Sequence, residues 1–202
     1  MILSTSMKHG GQYHFRIHQQ KSDALCLESL EPLKHFLKRV RRDCPDDYFQ
    51  DGPRSSVLKI DIGSKLVKQD HEVCNLARMG LESGYYDNAH MNVQMFMLAY
   101  DNKTIAIEVP LWLESFEHKK FFELFDSDKP LTGHIDIVRI ENGKIWVWDY
   151  KPKAHREKYA DTQTYFYALM LSKRTKIPLE KFMCGYFDDK SCYIFEPAKI
   201  RI

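Results

Sequence analysis

No apolar run in this 202-residue chain approaches the roughly 18–20 residues that cross a bilayer. The opening stretch, MILSTSMKHGGQYHF, lacks the long apolar block of a secretory signal. An intracellular protein with no membrane partner is therefore expected. CxxC is absent, and the cysteines, at 26, 44, 74, 184 and 192, are odd in number. Neither a disulfide framework nor a structural zinc site is expected, and the thiols read as buried and free. A strong net charge is missing too: 30 Lys and Arg against 28 Asp and Glu leave +2. Charge alone thus names no partner. Repeats and low-complexity tracts are also absent.

What remains is a globular composition, 44% hydrophobic and 29% charged. The length suits one domain, or one domain with a small appendage. Basic clusters stand at 34-KHFLKRVRR-42, 151-KPKAHREK-158 and 173-KRTK-176. These could touch phosphates, but solvated helix faces look the same, so the signal is weak by itself.

Residues 23–43 have helical periodicity, with Leu27, Leu30, Leu33, Phe36, Leu37 and Val40 on one side. The loop-like PDDYFQDGP follows at 45–53. The expected division is a helical N-terminal appendage, 1–50, and a main domain, 51–202. Residues 56–83 read mainly as helix, although Gly63 and Gly80 weaken the pattern. Residues 92–100 and 104–112 read as strands joined by Asp101-Asn102-Lys103. A mixed stretch, 113–130, precedes two strands at 133–140 and 145–151. Helix is expected at 157–173, and a hairpin at 181–197 turning near residues 188–190. The sum is an α/β (α+β) domain with a mixed sheet.

Asn142-Gly143 is a strong hairpin signal, because both residues tolerate positive φ in a type I′ turn. With these as loop residues, Ile140 faces Ile145 and Val138 faces Val147. Asp136 then faces Asp149 in a non-hydrogen-bonded pair, with Cβ atoms roughly 4.5–5.5 Å apart. Apolar neighbours make both strand faces look buried. Two close, partly desolvated carboxylates cannot both stay ionised unaided. They can share a proton, pair with a cation or bind a metal ion. Lys151 shares the face of Asp149, roughly 7 Å further along the strand. His134 lies opposite Lys151 in the same register. Glu108, inside TIAIEVPLW, is a third acid in strand pattern.

The ordered set Glu108, Gly133-His134-Ile135-Asp136, Asp149-Tyr150-Lys151 and Gln163-x3-Tyr167 resembles the PD-(D/E)XK nuclease superfamily, most closely its RecB-like exonuclease branch. The likeness spans roughly residues 55–197. It implies a restriction-endonuclease-like core, with Asp136, Asp149, Lys151 and Glu108 as the catalytic set. It implies Mg²⁺ or Mn²⁺ held by Asp136, Asp149, Glu108 and the Tyr150 backbone carbonyl. Hard oxygen ligands suit those ions. Gln163 and Tyr167 share a helix face, and with His134 are the implied substrate-binding or supporting residues. RecB-like members carry a metal-ligating histidine on the preceding helix. His71 is the candidate here, eight residues after Gly63 rather than the usual four or so. Some relatives hold an iron–sulfur cluster with one early and three late cysteines. Only Cys184 and Cys192 lie late, so that cluster is not expected. The implied activity is phosphodiester hydrolysis of single- or double-stranded DNA, alone or within a larger repair, recombination or defence complex. A catalytically silent binding module and an RNA-directed nuclease remain the alternatives.

Overall fold

The computed structural model describes residues 1–202. Two strands, β1 (Ile2–Lys8) and β2 (Gln12–His18), open the chain and form a hairpin. Helices α1 (Gln19–Leu25), α2 (Glu31–Asp43) and the short α3 (Tyr48–Asp51) follow. After a two-residue strand, β3 (Val67–Lys68), come α4 (Glu72–Ser83) and α5 (Ala89–Tyr100). The centre is β4 (Thr104–Leu113), the short α6 (Phe121–Phe125), β5 (Leu131–Glu141) and β6 (Lys144–Tyr150). Helix α7 (Ala160–Thr175) crosses over to β7 (Phe182–Phe187), which turns back into β8 (Cys192–Phe195).

All eight strands form one sheet, in the order β1-β2-β4-β5-β6-β7-β8-β3. Only β6 and β7 run parallel, joined through α7; the other neighbours are antiparallel. This is the mixed, helix-flanked α/β sheet expected of a restriction-endonuclease-like core. No helix is long and apolar enough to cross a membrane.

The sheet is packed on both faces. One face carries α2 and α7 over 36 buried apolar residues, among them Leu33, Leu37, Val40, Val109, Val138, Val147 and Phe166. The other carries α4 and α5 over 14, including Val93, Met97, Ile137, Trp146 and Trp148. Met7, Phe15 and Ile17 of the first hairpin belong to the larger cluster. Residues 1–50 are therefore not a helical appendage. They begin as two strands of the common sheet and share its core. Alternation of Leu3, Thr5, Met7 with Tyr13, Phe15, Ile17 around Gly10-Gly11 carries that hairpin in the sequence.

Three other elements differ from expectation. Helix breaks between Leu25 and Leu30, and Leu27 is exposed. Residues 58–66 are irregular rather than helical. The Gly63 N–H donates to Asp61 Oδ1 and Gly63 has φ +60°, a local turn that competes with helix. Residues 92–100 form α5, not a strand. The Asn88 side chain accepts from Met91 N at its start, and Val93 and Met97 are buried one turn apart. The run is rich in Met, Leu, Ala and Gln, all good helix formers.

The β5–β6 turn is as expected: Asn142 and Gly143 have φ +51° and +69°, and Glu141 pairs with Lys144. The ladder runs inward to Ile137–Trp148 and ends there.

Candidate active site

Where that ladder ends, the strands part. The Tyr150 N–H, which a continued ladder would send to β5 backbone, donates instead to Asp136 Oδ2 at 2.9 Å. Asp136 and Asp149 thus face each other one step past the last paired residues, across an opening in the sheet. On the other side of β5, Ile107 pairs with Ile137 and Val109 with Ile135. Glu108 lies between them, opposite Asp136. The three expected acids form a row across three adjacent strands.

Backbone irregularity marks that row. Glu108 has φ +52°, uncommon for any residue with a side chain. Ile107 packs in the α4/α5 core, whereas Val109, two residues on, packs in the α2/α7 core. Ile137 and Ile135 divide in the same way. A regular strand would keep such pairs on one face. The alternation therefore breaks at Glu108 on β4 and at Asp136 on β5. Nonpolar residues before and after stay buried while the acid in between is partly exposed.

Each acid has a distinct partner. Glu108 Oε1 accepts from Gln94 Nε2 of α5 at 2.6 Å. Asp149 is 1% exposed, and its Oδ1 accepts from Gln163 Nε2 at 3.0 Å. The same Gln163 nitrogen donates to the Tyr167 hydroxyl at 2.8 Å. Gly133 makes room for that tyrosine: a Cβ there would stand 2.4 Å from the Tyr167 ring. Lys151 Nζ lies 2.8 Å from Asp149 Oδ2, but out of hydrogen-bond alignment, so this buried oxygen has no aligned donor.

Three acids and one lysine leave the row short of positive charge. Burial first, then Asp149 and Glu108, push the Asp136 carboxyl well above its usual range. Burial also raises Asp149, against Lys151. Glu108 is raised by burial too, with Gln94 opposing and Asp149 adding. Burial pulls Lys151 down, yet the Asp149 carboxylate outweighs it and holds the ammonium form. The donor set is hard and anionic, with one buried oxygen held only by the Lys151 ion pair. It fits a divalent cation of the Mg²⁺ or Mn²⁺ type.

His71 does not join this group. Its Nδ1 accepts from Val73 N as the cap of α4, and its Nε2 is 3.5 Å from Glu141 Oε2. Glu141 is five residues from Asp136 along β5, roughly 16 Å away. The histidine beside the acids is His90, in the first turn of α5. Its ring centroid is 5.0 Å from that of Tyr150. Burial lowers its pKa, Asp149 raises it, Lys151 lowers it, and contact with the Tyr150 backbone raises it. Reading α5 as a strand hid both His90 and Gln94. A histidine just after a cap-forming residue type, Asn88, on the helix preceding Glu108 was the available signal.

His134 is turned away as well. Its Nε2 is 2.8 Å from His9 Nδ1, and its ring stacks on Tyr13 at 3.9 Å. Burial, then His9 and Arg54, drop its pKa to about 3. A cleft of about 650 Å³ opens beside Lys151 and Gln163, lined also by Lys59, Arg156, Lys158 and Tyr159. The basic cluster 151–158 therefore borders the row of acids. The cations of α2 are largely engaged, with Lys38 on Asp23 and Arg39 on Asp43.

The model of one protein family, the PD-(D/E)XK nuclease superfamily, matches residues 67–199. Neither a curated protein nor a solved structure matches the chain.

Proposed function

Because the chain belongs to the PD-(D/E)XK nuclease superfamily, we propose that it is a metal-dependent nuclease of RecB-like type that hydrolyses phosphodiester bonds in DNA. The observation that carries this reading is the row Glu108, Asp136, Asp149 with Lys151, at the point where β5 and β6 part. Asp136, Asp149, Glu108 and the Tyr150 carbonyl would hold Mg²⁺ or Mn²⁺, with His90 rather than His71 as the histidine ligand. The ion would supply charge neutralisation at a phosphate oxygen and a lowered pKa for water.

The side chains divide the remaining work. Asp149 favours the ammonium form of Lys151, which suits an electrostatic role. The lysine orients the attacking water or stabilises charge on the pentavalent phosphorus. Gln163 fixes Asp149 through one carboxylate oxygen and leaves the other toward Lys151. Tyr167 fixes Gln163 in turn. Lys59, Arg156 and Lys158 line the cleft where a phosphate backbone would lie, with Tyr159 as a surface for a base to stack on.

The test is end-labelled single- and double-stranded DNA, and RNA of the same sequence, with Mg²⁺, Mn²⁺ or EDTA, beside a Lys151→Ala control. Metal-dependent cleavage lost in the control is expected. Cleavage of RNA only would replace the substrate. No cleavage and no metal binding by calorimetry would overturn the reading in favour of a silent nucleic-acid-binding module.

A further inference from the structure

A second constellation lies near the start of β5, beside His134 and outside the row of acids. His9, at the tip of the β1–β2 hairpin, is fully buried, stacked on Phe49 at 3.7 Å between ring centroids. Its Nε2 is 2.9 Å from Asp46 Oδ1 and 3.8 Å from Cys44 Sγ. These three ligand atoms all lie within 4.8 Å of one another, and no other His, Cys, Asp or Glu trio in the protein does so. The Asp46 side chain is 60% exposed, which gives the cluster a way in from solvent.

We propose that His9, Cys44 and Asp46 form a site for a borderline-soft divalent ion of the Zn²⁺ class. One imidazole nitrogen, one thiolate and one carboxylate oxygen are a mixed donor set that suits Zn²⁺ and not Mg²⁺. Ligands of a tetrahedral ion at roughly 2.0–2.3 Å stand roughly 3.3–3.8 Å from one another. Of the two separations at His9 Nε2, the 3.8 Å to sulfur meets that range, while the 2.9 Å to oxygen is a hydrogen-bond distance below it, which the exposed Asp46 side chain would open on binding. Three protein ligands leave a fourth position for water on the exposed Asp46 side.

The ring's other nitrogen has the partner that a ligating histidine needs. His9 Nδ1 is 2.8 Å from His134 Nε2. With the proton on Nδ1, His9 donates to His134 and its Nε2 lone pair is free for the ion. A hydrogen bond to the distal nitrogen is how proteins fix the tautomer of a ligating histidine. Binding releases one proton to solvent, from the Cys44 thiol as its sulfur–metal bond forms. The ion would tie the hairpin tip to the turn after α2; the tip is otherwise held by Gln50 Nε2 of α3, which donates to the Lys8 carbonyl at 3.0 Å, and by Arg54 Nη2, which donates to the His9 carbonyl at 2.6 Å. Sequence spacing conceals this site, because His9 stands far from Cys44-Pro45-Asp46 and no CxxC is present.

The probe is Co²⁺ added to the chelator-treated full chain, with absorption read in the thiolate-to-cobalt charge-transfer region. One equivalent should give the band. Asp149→Ala, which alters only the row of acids, should keep it. Cys44→Ser should abolish it, and Asp46→Asn, an exposed change that leaves the fold intact, should weaken binding about tenfold or more. His134→Ala should weaken it by a similar factor, as the loss of a positioning hydrogen bond. Zn²⁺ should compete for the same equivalent. No band at stoichiometric Co²⁺ would overturn the proposal and leave Asp46–His9–His134 a purely hydrogen-bonded chain. A band that survives Cys44→Ser would overturn it as well, by placing the thiolate elsewhere.

Discussion

Strand β5 carries two buried polar clusters, and they are opposites. At one end Arg139 is fully buried and surrounded by acids. Its Nε is 2.8 Å from Asp101 Oδ2, one Nη 2.6 Å from Glu72 Oε1, the other 3.0 Å from Glu141 Oε2. Burial would raise Asp101, yet Arg139 and Thr104 hold its carboxyl below the usual range. Three residues away, roughly 10 Å along the strand, Asp136 has two acids for neighbours and is pushed the other way. The first cluster is saturated and closed. The second is short of positive charge and open to a cleft. A buried charge that finds all its partners in the fold belongs to the scaffold; one that does not is waiting for something the chain lacks.

Substitutions at each end should separate the two. Asp149→Ala or Lys151→Ala should lower metal-dependent cleavage by about a thousandfold or more, while DNA binding by anisotropy changes little. Melting near wild type would show that the loss is chemical. Arg139→Ala should do the reverse. Leaving Asp101 buried without its partner should cost about 3–5 kcal/mol in urea unfolding; a loss under about 1 kcal/mol would mean that the cluster is not structural.

Asp136→Asn should stabilise the metal-free protein by about 1 kcal/mol, since it removes one of three opposed acids. The sign with pH comes from the raised carboxyl. A group whose folded pKa exceeds its unfolded value keeps its contribution at low pH and loses it as pH rises. The gain should thus be small near pH 4 and grow toward neutrality, as unfolded Asp136 ionises from about pH 4 upward. A variant that melts below wild type at neutral pH would refute the account of the carboxylate row.

The smallest contrast is between two histidines. His90→Ala should raise the metal concentration for half-maximal cleavage about tenfold or more. His71→Ala should leave that value alone and cost about 1 kcal/mol, as the cap of α4 is lost. Equal metal dependence in both variants would remove His90 from the site.

The unsaturated cluster was legible in part; the saturated one around Arg139 was not, because its acids come from α4, the turn after α5 and β5. Asn142-Gly143 sets the β5–β6 register, so Asp136, Asp149 and Lys151 could be brought together from residue order alone. The parting of the strands could not, because it depends on Tyr150 N choosing a side chain over backbone. Glu108 was readable as an acid in a strand, but not its positive φ. His90 and Gln94 were lost with α5, whose buried face is apolar over too many neighbours to show a clear helical stripe. The first hairpin was written plainly around Gly10-Gly11, but the strong helical periodicity of residues 23–43 drew the whole segment toward a helical reading.

That hairpin joins the sheet by a narrow seam. Seven residue pairs link β1 to β2, but only Arg16–Ile107 and Ile17–Ala106 link β2 to β4. A unit strongly bonded within itself and weakly bonded to its neighbour tends to open as a unit. Amide exchange should therefore report two tiers of protection, with residues 2–18 released together before β4, β5 and β6. Equal protection throughout would make the sheet one cooperative body. If two tiers emerge, the first eighteen residues are a separately opening flap whose resting position is set at its tip, where His9 meets the turn after α2.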